Sequence, residues 1–200
     1  MSQLKLLHSG GNGVILSAPA SNPASDRTLT LPGDANSTVD TLNRAGNILQ
    51  VVQTVKTHTF SASHGSTVDI TGLSVSITPS SSSNKVLVTY DTNVSMANGS
   101  YHAHIFLVRG STKIFLGDAE GSRTRASNFV ISGNDGNGGI YYYPVHGEFL
   151  DSPATTSATT YKIQLLGQNN TMYVNRTQYD SDATGDNRIV SQITVKEVAA

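Results

Sequence analysis

Apolar and β-branched residues occur along the chain in short runs separated by turn-forming residues. Five runs predict strong strands, at residues 48–58, 85–94, 102–109, 161–166 and 188–198. Weaker candidates lie at residues 67–70, 113–116, 128–131, 140–145 and 172–176. Clusters of Ser, Asn, Asp and Gly separate them at 80–84, 134–139 and 180–186. About ten strands at this spacing, with no useful helical period, predict an all-β antiparallel sandwich or barrel over residues 47–200.

The last strand alternates most clearly between apolar and polar positions. Ile193, Val195 and Glu197 share one face, because side chains two residues apart point to the same side of a strand. A glutamate on the apolar face is unusual. Its position near the terminus predicts that it lies at the end of the strand.

Residues 1–46 differ from the rest and read as an extended N-terminal arm. They contain two short β-like pieces, at 13–17 and 28–31, separated by a segment with Pro19 and Pro23. Proline lacks a backbone donor and favours turns or strand ends. So few apolar residues cannot form a core of their own. We therefore expect the arm to lie on the main domain, on another chain or on a larger assembly.

Composition and charge exclude several classes of protein. Ser, Thr, Asn and Gly make up 80 of the 200 residues, and the net charge is -1. Nucleic-acid binding requires clustered Lys and Arg, which this balance does not offer. No run approaches the ~20 apolar residues of a membrane span. The chain start lacks a secretory profile, and the absence of Cys excludes disulfide frameworks and thiolate zinc sites.

Two short motifs have the spacing of metal ligands. His102 and His104 face the same side of a predicted strand, but no third ligand is identifiable. The alternative places both on the solvent face, with Ala103 and Ile105 inward. Residues 180–185 match the start of a calcium loop, whereas the twelfth position is Ser191 rather than Glu. A plain loop explains this segment better, and we predict neither a metal nor a cofactor.

An aromatic stretch and a polar loop are the candidates for ligand binding. Tyrosine combines a flat face with a hydroxyl, which suits sugar stacking and protein interfaces alike. An equally good interpretation is that two of the tyrosine rings lie in the core or in a subunit contact and bind no ligand. The candidate residues are Tyr141, Tyr142, Tyr143, Asn134, Asp135 and Asn137.

The sequence contains no recognisable catalytic motif. A G-x-S-x-G elbow, a phosphate loop and a dinucleotide fingerprint are all missing. Acid pairs such as Asp180 and Asp182 could cleave glycosides, but their spacing does not place them across a bond. We therefore predict that the protein is not an enzyme.

The first strand of the main domain carries apolar residues on both faces, whereas a surface strand needs them on one. A neighbouring subunit is the simplest cover for the second face, although a loop of the same chain could also cover it. Val52→Asp is accordingly expected to dissociate a homotrimer. The candidate interface residues are Ile48, Leu49, Val51, Val52 and Val55.

Several segments resemble structural proteins of tailed bacteriophages, especially aquatic ones. They are GNGVILSAP at 11–19, DRTLTLP at 26–32, LNRAGNILQVV at 42–52 and the C-terminal SQITVKEVAA at 191–200. The third resembles the junction between a collar and a globular β-domain, and the fourth resembles the last strand of such domains.

This resemblance implies a trimeric virion protein with a jelly-roll sandwich of tumour-necrosis-factor-like type. It would be a short tail or head fibre, or a capsid decoration protein, assembled in the host cytoplasm and displayed on the virion surface. The arm would attach it to other virion proteins, and a host surface glycan is a candidate partner. Two alternatives remain open: a carbohydrate-binding module using Tyr141–Tyr143 and the 134–139 loop, and a glycan-cleaving spike using Asp residues.

Overall fold

The computed structural model describes residues 3–7, 10–11, 13–17, 44–97, 102–131 and 141–200. The chain divides into two units, Met1–Val39 and Asp40–Ala200. In the first unit, β1 (Gln3–Leu7) pairs antiparallel with β2 (Gly13–Ser17). β2 confirms the predicted strand at 13–17, and β1 was not predicted. The predicted strand at 28–31 lies outside the described residues.

The described part of the second unit consists of strands and the turns between them. The strands are β3 (Ile48–Lys56), β4 (Phe60–Ala62), β5 (Val68–Ile77), β6 (Lys85–Met96), β7 (His102–Arg109), β8 (Thr112–Ile114), β9 (Asn128–Ile131), β10 (Tyr143–Asp151), β11 (Thr159–Gln168), β12 (Met172–Val174) and β13 (Ser191–Val198). All their pairings are antiparallel. Within the described ranges, no helix is long and apolar enough to cross a membrane.

The first sheet has four strand positions. On β6, Val94 pairs with both β10 and β12, and Asp91 pairs with both β10 and β13. β12 and β13 therefore follow one another along the edge of β6 opposite β10. β3 pairs with β13 and β4 with β12, so β3 and β4 together form the outer edge.

The second sheet also has four strand positions, and two short strands share the last of them. β5 pairs with β11, and β11 pairs with β7. Leu107 of β7 pairs with both β11 and β8, and Ile105 pairs with both β11 and β9. β8 and β9 therefore share the remaining edge of β7. Because the chain crosses several times from one sheet to the other, the result is the predicted antiparallel jelly-roll sandwich.

The core lies between the two sheets and follows the period-two pattern. β6 contributes Val86, Val88 and Tyr90, and β13 contributes Ile193 and Val195. The second sheet meets them with side chains of β5, β7 and β11. Each fully buried aliphatic side chain stabilises the fold by about 1.5–3 kcal/mol.

Glu197 lies buried at the end of β13, on the face that the alternation predicted. Its carboxylate accepts hydrogen bonds from the side chains of Gln50 and Asn84 and from both the backbone and the hydroxyl of Ser80. Burial opposes ionisation, but these hydrogen bonds outweigh it and lower the pKa of Glu197 to about 2. The charge is thus accommodated at the rim of the core.

Several strands differ in length from those predicted. β5 continues to Ile77 past a register shift, where Gly72 adopts a φ of 81° that favours glycine. β8 ends at Ile114 because the next residue, Phe115, has a φ of 54°. β10 runs to Asp151 rather than ending at residue 145, and β4 was not predicted.

Candidate functional site

The outer edge of the first sheet exposes apolar side chains of β3. Ile48, Val51 and Val55 are about half exposed, at 47%, 57% and 49%, whereas Leu49 is partly buried. Val52 points the other way and packs against the core of its own chain. The expectation that Val52→Asp tests a subunit contact is therefore wrong, because that substitution places a charge against the core. Val51 and Val55 are the positions for such a test.

The surface beside these valines is mostly uncharged. Val55 lies opposite Gln192, and Val51 lies opposite Lys196. Between them, the side-chain amide of Gln53 donates to the side-chain oxygens of Gln192, at 3.1 Å, and Thr194, at 3.0 Å. This strip of β3 and β13 thus combines two exposed valines with amides that are already paired.

The tyrosine stretch is divided between different surroundings. Tyr143 is the first residue of β10 and packs against the core, whereas Tyr141 is exposed. The hydroxyl of Tyr142 donates to the backbone carbonyl of Asn187. Tyr141 precedes β10, so it does not share a strand face with Tyr143.

The polar half of the predicted ligand site lies outside the described residues. This applies to Asn134, Asp135 and Asn137. A glycan platform built from these residues and the tyrosines therefore stays a prediction.

The two histidines face outward from β7, with Ala103 and Ile105 buried on the other side. The imidazole centroids of His102 and His104 are 5.3 Å apart, with nearly perpendicular planes. Phe129 of β9 lies opposite His104 in register, and its ring centroid is 5.2 Å from that of His102 and 5.1 Å from that of His104. The three rings form one cluster on the outer face of the second sheet.

Burial lowers the pKa of His104, and the neighbouring His102 lowers it further. His104 is therefore neutral at pH 7. Its Nδ1 is buried and has no hydrogen-bond partner among the described residues. The described part of the chain contains no group of three or more His, Asp or Glu side chains that could hold a metal ion.

The ring cluster lines a cavity of about 1000 Å³. Residues 117–118, 120 and 123–128 form one side of this cavity, and Leu166, Gly167 and Gln168 of β11 form another. The sequence did not point to Phe129 as part of any site. Its contribution depends on the pairing of β9 with β7, which no local pattern reports.

The segment between β8 and β9 is tied down at its base. Ser127 donates its backbone N–H to the carbonyl of Ile105 at 2.9 Å and accepts the N–H of Leu107 through its hydroxyl, also at 2.9 Å. Arg125 Nε donates to the carbonyl of Gly117 at 2.7 Å, across the two limbs of the segment. These bonds hold the segment beside the histidine face.

Four charged side chains of this segment line the cavity, and their charges cancel. They are Asp118, Glu120, Arg123 and Arg125. All four are exposed, and within the described part of the chain the side chains of Asp118, Glu120 and Arg123 make no hydrogen bond or ion pair. The cavity thus offers polar groups without a net charge.

Two of the three acidic side chains in the 180–186 segment, Asp180 and Asp186, are engaged by neighbouring residues. Asp180 pairs with Arg176 and Arg188, each at 3.0 Å, and the hydrogen bond from Arg188 is the main cause that lowers the pKa of Asp180. Asp186 accepts hydrogen bonds from Thr177 and Ser181. These contacts tie the carboxylates of Asp180 and Asp186 to neighbouring residues of the loop.

Comparisons with known proteins give a distant likeness. Neither a protein-family model nor a curated protein matches the chain. Among solved structures, it is similar to a mutant VP2 protein of infectious bursal disease virus in T=1 particles, at 14% identity and a TM-score of 0.36, over 86% of this chain and 41% of that one. It is also similar to the structure of the Gx strain of that virus, at 16% identity and a TM-score of 0.35, over 94% and 47%. The chain thus spans less than half of these proteins, and likeness at this level carries no argument about function.

Proposed function

We propose that the chain is a non-enzymatic structural protein of a tailed-bacteriophage particle. It is displayed on the virion surface as a homotrimer through its jelly-roll domain, and residues 1–46 attach it to other virion proteins. The segments at 11–19, 26–32, 42–52 and 191–200, which resemble such proteins, support the assignment to a particle. Assembly in the host cytoplasm belongs to the same proposal.

The exposed apolar edge of β3 is the observation that carries the trimer. Ile48, Val51 and Val55 lie on an edge strand. Edge strands with exposed apolar residues invite pairing or aggregation unless something covers them. Full burial of an exposed Val contributes about 1.5–3 kcal/mol, so covering two half-exposed valines per chain contributes a part of this at each position and favours association.

A second copy of the chain is the occupant that fits this strip. The amides of Gln53 and Gln192 pair with neighbours in their own chain, so they can be covered without losing their partners. Lys196 remains opposite Val51 at the strip, where its long side chain can keep its charge in water. A closed trimer would cover the strip in every copy.

Glycan cleavage is not part of the proposal. Asp180 is held by two arginines, and Asp186 by two hydroxyls. A retaining or inverting glycosidase needs two carboxyl groups that face each other across a bond, with one of them able to donate a proton. The lowered pKa of both Asp180 and Asp186 disfavours that donor role.

Mass spectrometry of purified phage particles, with copy-number quantification, tests the proposal. A structural protein is expected in every particle at a multiple of three copies. A few such multiples would identify a fibre, and hundreds of copies a decoration protein. Absence from the particles, with the protein present in infected cells, would contradict the proposal.

A variant without residues 1–46 tests the role of the arm. We expect the truncated domain to stay folded, because the buried core begins at Ile70, and to be missing from particles. Incorporation at the normal copy number would place the attachment elsewhere in the chain.

A further inference from the structure

The cavity beside β7 combines an exposed aromatic surface with free polar groups. The ring of Phe129 is 52% exposed although it contacts both His102 and His104. A half-exposed aromatic ring at the wall of a cavity presents a flat apolar face to whatever enters. His102 widens that face, because it lies 5.2 Å from Phe129 at a tilt of 41°.

The polar groups around this face suit a ligand with many hydroxyls. Asp118 and Glu120 are acceptors, Arg123 is a donor, and the amide of Gln168 can serve as either. Asn128 is not one of them, because its amide nitrogen donates to the carbonyl of His146 at 3.2 Å and its amide oxygen accepts the hydroxyl of Tyr90. Sugars offer hydroxyls for such groups and an apolar C–H face for the ring.

The balanced charges of the cavity lining favour a neutral ligand over the charged ligands that also stack on aromatic rings. Asp118 and Glu120 balance Arg123 and Arg125, and one of these arginines already donates to Gly117. A nucleotide or a phosphorylated ligand would need unbalanced cations for its phosphate. An acidic sugar would likewise meet as many carboxylates as guanidinium groups.

The wall of the cavity is held in place by hydrogen bonds. Ser127 and Arg125 fix the 115–127 segment through backbone contacts to Ile105 and Gly117. The volume of about 1000 Å³ lies at the upper end of the range for small-molecule sites and exceeds the space that one sugar ring needs. A fixed wall lowers the entropy cost of binding.

We propose that this cavity is a binding site for neutral saccharides, with Phe129 as the stacking surface and Asp118, Glu120 and Arg123 as hydrogen-bonding groups. The site lies apart from the tyrosine stretch. It does not depend on the assignment to a virion, so either proposal can fail without the other.

Saturation-transfer NMR on the full chain tests the site. The probes are methyl glycosides of glucose, galactose, mannose and N-acetylglucosamine, and di- and trisaccharides of the same sugars. N-acetylneuraminic acid and ribose 5-phosphate serve as charged comparisons. We expect signal from at least one neutral probe and a weaker signal, or none, from the charged ones.

Two variants on β9 locate the binding. Phe129→Ala is expected to weaken the affinity for the responding probe by about tenfold or more, the loss of one stacking surface. Ile131→Ala is the matched control, because Ile131 is 61% exposed on the same strand face but does not line the cavity. Asp118→Asn and Arg123→Gln are expected to weaken binding while leaving the melting temperature unchanged.

Three results would overturn the proposal. The first is that no neutral probe gives a signal, or that only the charged probes do. The second is that Phe129→Ala and Ile131→Ala lower the affinity equally. The third is that binding survives Phe129→Ala but is lost in Tyr141→Ala, which would place the site at the tyrosine stretch instead.

Discussion

The buried carboxylate of Glu197 accepts a hydrogen bond of 2.6 Å from the side-chain amide of Asn84. The same carboxylate oxygen accepts the backbone N–H of Ser80 at 2.6 Å. Residues 80 and 84 belong to the turn between β5 and β6, whereas residue 197 ends β13. One charge therefore joins the last strand to a turn that connects the two sheets.

Glu197 is expected to make folding stability depend on pH in the acid range. Its pKa is lowered from 4.5 to about 2, so its contribution is complete above about pH 4.5 and is lost as the pH falls toward 2. Glu197→Gln is expected to lower the free energy of unfolding at neutral pH by about 2 kcal/mol. Urea denaturation between pH 7 and pH 3 measures both effects, and the variant should lose less stability on acidification than the wild type.

Glu148→Gln is the control for this prediction. Glu148 is an exposed glutamate on β10, and its replacement is expected to change stability by less than about 0.5 kcal/mol. Equal pH dependence in the wild type and Glu197→Gln would show that the buried carboxylate does not carry the effect.

Arg109 and the buried Asp151 form an ion pair whose loss should lower the stability measurably. Both oxygens of Asp151 lie 2.8 Å from Arg109 Nη1, and the Tyr161 hydroxyl donates to one of them at 2.6 Å. Arg109→Met leaves a buried carboxylate without its cation, so we expect a loss of about 3 kcal/mol. Lys162→Met breaks the more exposed pair with Asp69 and is expected to cost less than about 1 kcal/mol. Similar urea midpoints for the two variants would contradict this ranking.

Gly147 and Gly167 are both too crowded for a side chain, but by different neighbours. A Cβ at Gly147 would overlap the ring of Tyr90, which is buried and donates its hydroxyl to Asn128. A Cβ at Gly167 would overlap the flexible side chain of Met172. We expect Gly147→Ala to cost about 1–3 kcal/mol and Gly167→Ala less, because Met can change rotamer. Thermal melts that rank the two variants in the opposite order would refute the argument.

The sequence predicted the strands that bury an apolar side chain at every second position, because this alternation is visible in the sequence itself. In β6, Val86, Val88 and Tyr90 face the core at every second position. β10 was predicted too short because the apolar alternation stops at a glycine in the middle of the strand. After Val145, the next inward position is Gly147, and the ring of Tyr90 supplies the bulk that the glycine lacks.

The residues that line the cavity could be predicted only in part from local sequence patterns. A period of two was enough to place His102 and His104 on one face. Phe129 joins them only because β9 pairs with β7 in a register that sets it opposite His104. Gln168 lies at the cavity because β11 pairs with the other edge of β7. These pairings connect segments far apart in the sequence, and one sequence contains no signal for them.

The outward valines of β3 give the sharpest mutational test of the subunit contact. Val51→Asp and Val55→Asp are expected to yield a folded monomer, because both side chains are exposed within one chain. Val52→Asp is expected to unfold the domain, because Val52 packs against the core. Circular dichroism reports folding, and size-exclusion chromatography reports association. Unchanged association in both outward variants would remove β3 from the interface.

Light scattering of the purified full chain at micromolar concentration tests the central claim most directly. The account predicts a species of about three times the 21.1 kDa of one chain. A species of 21.1 kDa under the same conditions would contradict the trimer, and with it the proposed display on a virion surface.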